Sequence, residues 1–137
     1  TKEEALSLLA QTEDAGLIHM SRNTTDEIDF ICNCDRWHCD GVTTVLRQPK
    51  PGLVFNSGYQ PRFDPDLCIG CENCLDRCPA GALAISDEQL PAVDLDRCFG
   101  CAVCATGCPQ KAIVLGAKPG FPDPPKNNEE LIAAFKH

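Results

Sequence analysis

Two runs of cysteine hold the residues best placed for chemistry in this chain. Cys68, Cys71, Cys74 and Cys78-Pro79 read C-x-x-C-x-x-C-x-x-x-C-P, and Cys98, Cys101, Cys104 and Cys108-Pro109 repeat the pattern. Three cysteines at two-residue gaps wrap a tight loop whose sulfurs converge on three corners of a cube of iron and sulfide, while the fourth sulfur points away. Gly70 and Gly100 lie inside the loops, where the lack of a Cβ lets the backbone approach the cluster. Pro79 and Pro109 have no N–H and fix the direction in which the chain leaves. A zinc site asks for two spaced pairs rather than triplets with a distant fourth. A disulfide framework asks for an oxidising compartment and usually an even count, whereas this chain has 11 cysteines.

The repeat is wider than its cysteines. Residues 64–85 (DPDLCIGCENCLDRCPAGALAI) and 94–115 (DLDRCFGCAVCATGCPQKAIVL) coincide at four cysteines, a glycine, a proline, two aspartates and an alanine. On these residues, 62–116 resembles a bacterial-type two-[4Fe–4S] (dicluster) ferredoxin domain. The resemblance implies an α+β, ferredoxin-like fold with pseudo-two-fold symmetry, two short hairpins and two short helices around a pair of clusters. It also implies crossed ligation. Cluster 1 falls to Cys68, Cys71, Cys74 and Cys108, and cluster 2 to Cys98, Cys101, Cys104 and Cys78. Arg62-Phe63, Leu83-Ala84-Ile85, Ala92-Val93 and Ile113-Val114-Leu115 supply the strand signals, and Ile69, Phe99, Val103 and Ala105 the apolar sheath.

A third group, Cys32, Cys34 and Cys39, lies outside the repeat. With His19, or alternatively His38, it makes one further four-ligand metal site. Three ionised thiols within eight residues repel each other, and a cation relieves that repulsion. Zinc is favoured slightly because mixed sulfur and nitrogen ligands fill its tetrahedron; a third iron–sulfur cluster is the rival. The stretch from Gly16-Leu17-Ile18-His19 to Cys34 also resembles extensions that precede dicluster modules in multidomain redox proteins of anaerobes. In those the run is more cysteine-dense than here, where Asp35, Trp37 and His38 intervene.

The flanks must position these groups. Thr1 and Glu4 make a capping box for a helix over residues 2–15, which Gly16 stops. Ile28-Asp29-Phe30-Ile31 alternates like a strand leading into Cys32, and Leu53-Val54-Phe55 reads as a short buried segment. A proline-rich linker from Lys118 precedes a short helix with Leu131, Ile132 and Phe135, which docks on its own domain. The expected organisation is an N-terminal helix and Cys/His-rich extension (1–48), a linker (49–61), the dicluster domain (62–116), and a Pro-rich linker with a short helix (117–137).

Composition narrows the function. Twelve basic against twenty acidic residues leave a net charge of −8, the wrong sign for a nucleic-acid module. No apolar run approaches the ~20 residues of a membrane span. The start is acidic, with no leader profile, so the expected location is cytoplasmic. Residues 1–60 hold no nucleophile-and-base pair, phosphate loop or nucleotide fingerprint, so no catalytic residue is assigned. The expected function is single-electron relay through two [4Fe–4S] clusters to or from a partner oxidoreductase or other domains of the same one, rather than catalysis by the chain itself. The alternative makes the N-terminal Cys/His site a catalytic or sensory metal centre that the clusters feed.

Overall fold

Residues 1–134 are described by the computed structural model; Phe135, expected on the last helix, lies outside them. Six short helices and three two-stranded antiparallel sheets among these residues make the class α+β. The capping box at Thr1 and Glu4 forms in both directions and starts α1 (Lys2–Asp14), which ends before Gly16 at φ +77°. β1 (Ile18–Met20) pairs with β2 (Cys32–Cys34), followed by α2 (Asp40–Leu46) and α3 (Pro51–Val54). β3 (Tyr59–Phe63) pairs with β6 (Ile113–Ala117), and β4 (Leu83–Ile85) with β5 (Pro91–Val93). Every strand expected in the repeat is present. Pro61 is tolerated in β3 because a two-stranded ribbon leaves one edge of each strand free of ladder bonds. No helix among the described residues is long and apolar enough to cross a membrane.

The sequence repeat recurs as local geometry. α4 (Asn73–Arg77) and α5 (Val103–Thr106) begin at equivalent places, one residue before the third cysteine of each run. Asp64 and Asp94 each use a carboxylate oxygen to accept the N–H two residues on, at 3.0 and 2.9 Å, and each carbonyl accepts from the first cysteine of its run. Asp64 N–H donates to the Ala112 carbonyl and Asp94 N–H to that of Ala82, both at 2.8 Å, so each half is bonded into the other. Left-handed backbone also recurs in step, at Gly70 and Gly100, Glu72 and Ala102, Gly81 and Lys111.

The flanks differ from expectation at two segments. Ile28–Ile31 stays outside the ladder, which covers only Cys32–Cys34, and Ile28, Phe30 and Ile31 are exposed. Alternation alone makes no strand where β1 offers only three residues to pair with. At the start of the connector Pro51 and Gly52 are buried, and Leu53 and Val54 face solvent. Gly52 N–H donates to Asp96 O at 2.8 Å, and a Cβ there would stand 2.7 Å from the carbonyls of Leu95 and Cys98. The C-terminal stretch folds back onto the N-terminal one. Thr25 and Asp26 N–H donate to Pro125 and Lys126 O, and Arg22 reaches Asn128 at the start of α6 (Asn128–Ala134).

One core cluster joins Ile18 and Val42 of the N-terminal part to Ala80, Ala82, Phe99 and Val103 of the repeat. The repeat is therefore covered on one side only. Gly70 and Gly100 are both left-handed, yet a Cβ at Gly70 meets open space while one at Gly100 runs into Ser57 Oγ and Tyr59 O. Gly70→Ala should cost about 1–2 kcal/mol, the left-handed penalty alone, and Gly100→Ala at least twice that. Thermal unfolding of the two variants under anaerobic conditions checks the difference; equal losses would remove the one-sided cover.

Candidate functional site

The eight cysteines of the repeat fall into two groups of four. Cys68, Cys71 and Cys74 share one apolar cavity with Cys108; Cys98, Cys101 and Cys104 share a second with Cys78. Each cavity thus takes three thiols from one run and its fourth from the other. Turns with left-handed residues on either side of Cys71 and Cys101 bring the thiols inward, the kind of concavity that gathers backbone N–H groups around anions and Fe–S centres. Ala82 N–H donates to Cys78 Sγ at 3.3 Å. Gly100, Val103 and Leu75 N–H groups bond Cys98, Cys101 and Cys74 in turn.

Those donors favour thiolates, but burial opposes them and wins. Burial pushes Cys101 and Cys104 up to about 12, with the neighbouring cysteines adding to the shift, and raises Cys98 and Cys74. Four thiols around an apolar cavity therefore ionise together only beside a compensating positive charge. Thiolate-bound iron supplies such a charge, so the donor set fits an iron–sulfur core.

The two cavities differ in cover. Ile69 is 64% exposed and Cys71 is exposed, whereas Phe99, at the place equivalent to Ile69, is 6% exposed and Gly100 is buried. Ser57 makes the difference locally, with its N–H on Phe99 O at 3.1 Å and its hydroxyl on Gly100 O at 2.9 Å. Phe55 meets Phe99 edge-on, and Lys118 Nζ bonds Cys98 O at 3.2 Å and lowers the Cys98 thiol against burial. None of these residues stands out in the sequence, although the Pro51-Gly52 pair marks a close backbone approach. Arg77 escaped notice too. Its guanidinium donates to Val103 O, Asp14 O and Glu13 O, tying the end of α1 to the start of α5.

The third cysteine group is placed without its histidines. Pairing of Ile18 with Cys34 and Met20 with Cys32 puts both cysteines on one face of the β1–β2 ribbon, and His19 with Asn33 on the other. His19 Nε2 lies 3.0 Å from Thr12 Oγ1, whose hydroxyl also reaches Asn33 Oδ1. His38 points into solvent, with Nδ1 2.7 Å from Asp35 Oδ2. Cys34 is in contact with both Cys39 and Cys32 through side-chain hydrogen bonds, and burial with these neighbours raises it to about 12. Cys39 is lowered, chiefly by the Val42 N–H, then by the Cys34 thiol. Among the described residues, no three His, Cys, Asp or Glu side chains are arranged around a single metal ion.

Residues 62–115 match the family described as the 4Fe-4S dicluster domain, and this part of the chain is a ferredoxin-type iron–sulfur domain. Among curated proteins, a probable ferredoxin of Methanosarcina thermophila is 44% identical over 27 residues. That stretch covers 20% of this chain and 47% of the relative, so the match spans about half of the relative's length.

Arg77 joins the domain to the helix before it. Arg77→Ala removes a half-buried charge from three carbonyls and should lower stability by about 2 kcal/mol. Denaturant unfolding measures this, and a loss below about 0.5 kcal/mol would show the tie to be ornamental.

Proposed function

We propose that this chain is an electron-transfer module that carries two [4Fe–4S] clusters, related by the pseudo-two-fold symmetry of the repeat, and relays single electrons to or from a partner oxidoreductase or another domain of the same one. The observation that carries this reading is the partition of the eight cysteines into two cavities, each closed by a cysteine from the opposite run. Cys68, Cys71, Cys74 and Cys108 would hold cluster 1; Cys98, Cys101, Cys104 and Cys78 would hold cluster 2. With four thiolates each, the clusters would supply one-electron changes of charge and leave no position for substrate.

The protein's own part is to exclude water, supply N–H donors and set direction. Residues 18–57 pack on the Phe99–Gly100 loop beside the second cavity, which would turn that loop away from a partner. The first opens at Leu67, Ile69 and Cys71, with Asp64, Asp66, Glu72 and Asp76 exposed around it. An apolar contact rimmed by carboxylates suits a redox partner with a basic docking face. A cytoplasmic setting agrees with cysteines that serve as metal ligands rather than disulfide partners.

Crossed ligation has a direct test. Cys78→Ala should remove about four irons from the anaerobically purified protein. Cys68, Cys71, Cys74 and Cys108 keep their cluster, and the spin–spin coupling of the reduced protein disappears from its paramagnetic resonance spectrum. If the cluster of Cys68, Cys71 and Cys74 is lost instead, ligation follows the sequence runs.

Partner polarity has another. The clusters would take the formal charge from −8 to about −12. Electron transfer to cytochrome c, a basic acceptor, should therefore slow as salt shortens the screening length below about 10 Å. Asp66→Lys/Glu72→Lys should weaken that salt dependence and lower the low-salt rate several-fold. A rate indifferent to salt in both proteins would mean that electrons leave elsewhere.

A further inference from the structure

We propose that Cys34 and Cys39 form a redox-active dithiol, which closes to a disulfide by exchange with a small disulfide from solution and is reopened by thiols. This stands apart from the iron–sulfur reading, since it uses none of the cysteines of the repeat.

Local geometry brings the pair together. β2 ends at Cys34, and Asp35 closes the turn that follows, its Oδ1 accepting the N–H groups of Trp37 and His38, both at 2.6 Å. The chain thus reverses and returns Cys39 to Cys34, and the two side chains are in hydrogen-bonding contact. Both pack on one buried group that includes Ile18, Val42 and Phe99, which holds them side by side. Cys32 also touches Cys34. Alternate residues of a strand, however, stand roughly 6.6 Å apart, close to the upper limit of about 6.8 Å between the Cα atoms of a disulfide. Cys39 comes from outside the strand and carries no such restraint.

The two sulfurs are unequal in the way that exchange requires. Cys39 is held below the ordinary thiol value, chiefly by the Val42 N–H, then by the Cys34 thiol and the Gly41 N–H. Burial, with Cys39 and Cys32 beside it, pushes Cys34 up to about 12. Cys39 is therefore the attacking sulfur, because the thiolate is the nucleophile. It forms a bond to one sulfur of the small disulfide and expels the other half as a thiolate. Cys34 then attacks the Cys39 sulfur, expels the second half and gives its proton to a departing thiolate. In the balance two protein thiols are oxidised to one disulfide, and the small disulfide is reduced to two thiols, which take up the two protons. Cys39 is half-buried, which admits a small molecule more readily than the disulfide of a folded protein. In a reducing compartment a disulfide of this kind is transient and redox-active rather than structural.

The test treats the full chain, purified anaerobically, with oxidised glutathione, blocks the remaining thiols with N-ethylmaleimide and cuts with trypsin. Cleavage after Arg36 puts Cys32 and Cys34 on one peptide (residues 23–36) and Cys39 on another (37–47). The wild type and Cys32→Ser should both yield these peptides joined by a disulfide and free of glutathione, and dithiothreitol should separate them. Cys34→Ser should keep one glutathione on Cys39. Cys32→Ser/Cys39→Ser should take up glutathione at Cys34 at least about tenfold more slowly than the wild type closes. Unjoined peptides in the wild type, a disulfide between Cys32 and Cys34, loss of the joined pair in Cys32→Ser, or a double variant that reacts as fast as the wild type would each overturn the proposal. None of these readings uses iron, so a chain without clusters would overturn the two-cluster reading and leave this one standing.

Discussion

Sulfur that is both buried and required to be charged is the constraint behind this structure. Lining two cavities with thiols in an apolar setting raises the proton affinity of each, and backbone N–H donors return only part of what burial takes. A compact cationic core beside the thiols would resolve the conflict. Among the described residues, only Val42 and Pro51 of the larger side chains are fully enclosed. The two cavities occupy the middle of the repeat, where a chain of this length would otherwise place aliphatic side chains.

Two halves that share their turns differ in their surroundings. The backbone of each half bends at the same places, with matched aspartate turns and matched left-handed residues. What differs is the side chain beside the loop glycine and what lies over it. Isoleucine at 69 faces water, while phenylalanine at 99 anchors a cover built from β1, α2 and the connector. A symmetric motif thereby acquires a front and a back.

The parts of this arrangement that were legible in the sequence are those fixed by neighbours along the chain. Capping at Thr1 and Glu4, the stop at Gly16 and the tight cysteine loops of the repeat all depend on residues within a few positions. The illegible parts depend on distant partners. The Ile28–Ile31 alternation had no strand to meet, and Leu53 and Val54 were turned outward because Pro51 and Gly52 took the contact with Asp96 and Cys98. His19 had the right element for a ligand and the wrong parity. In a strand that pairs Ile18 with Cys34, the residue between Ile18 and Met20 faces away from the thiols. Arg77 could not be singled out because its three carbonyl partners lie on two other elements.

The cover over the second cavity draws on both ends of the chain, since Ser57 and Phe55 come before the repeat and Lys118 after it, while Pro125 and Lys126 fasten the returning tail to Thr25 and Asp26. The loop around Phe99 and Gly100 is thereby held from both directions along the chain, whereas its counterpart around Ile69 and Gly70 is held only by its own half.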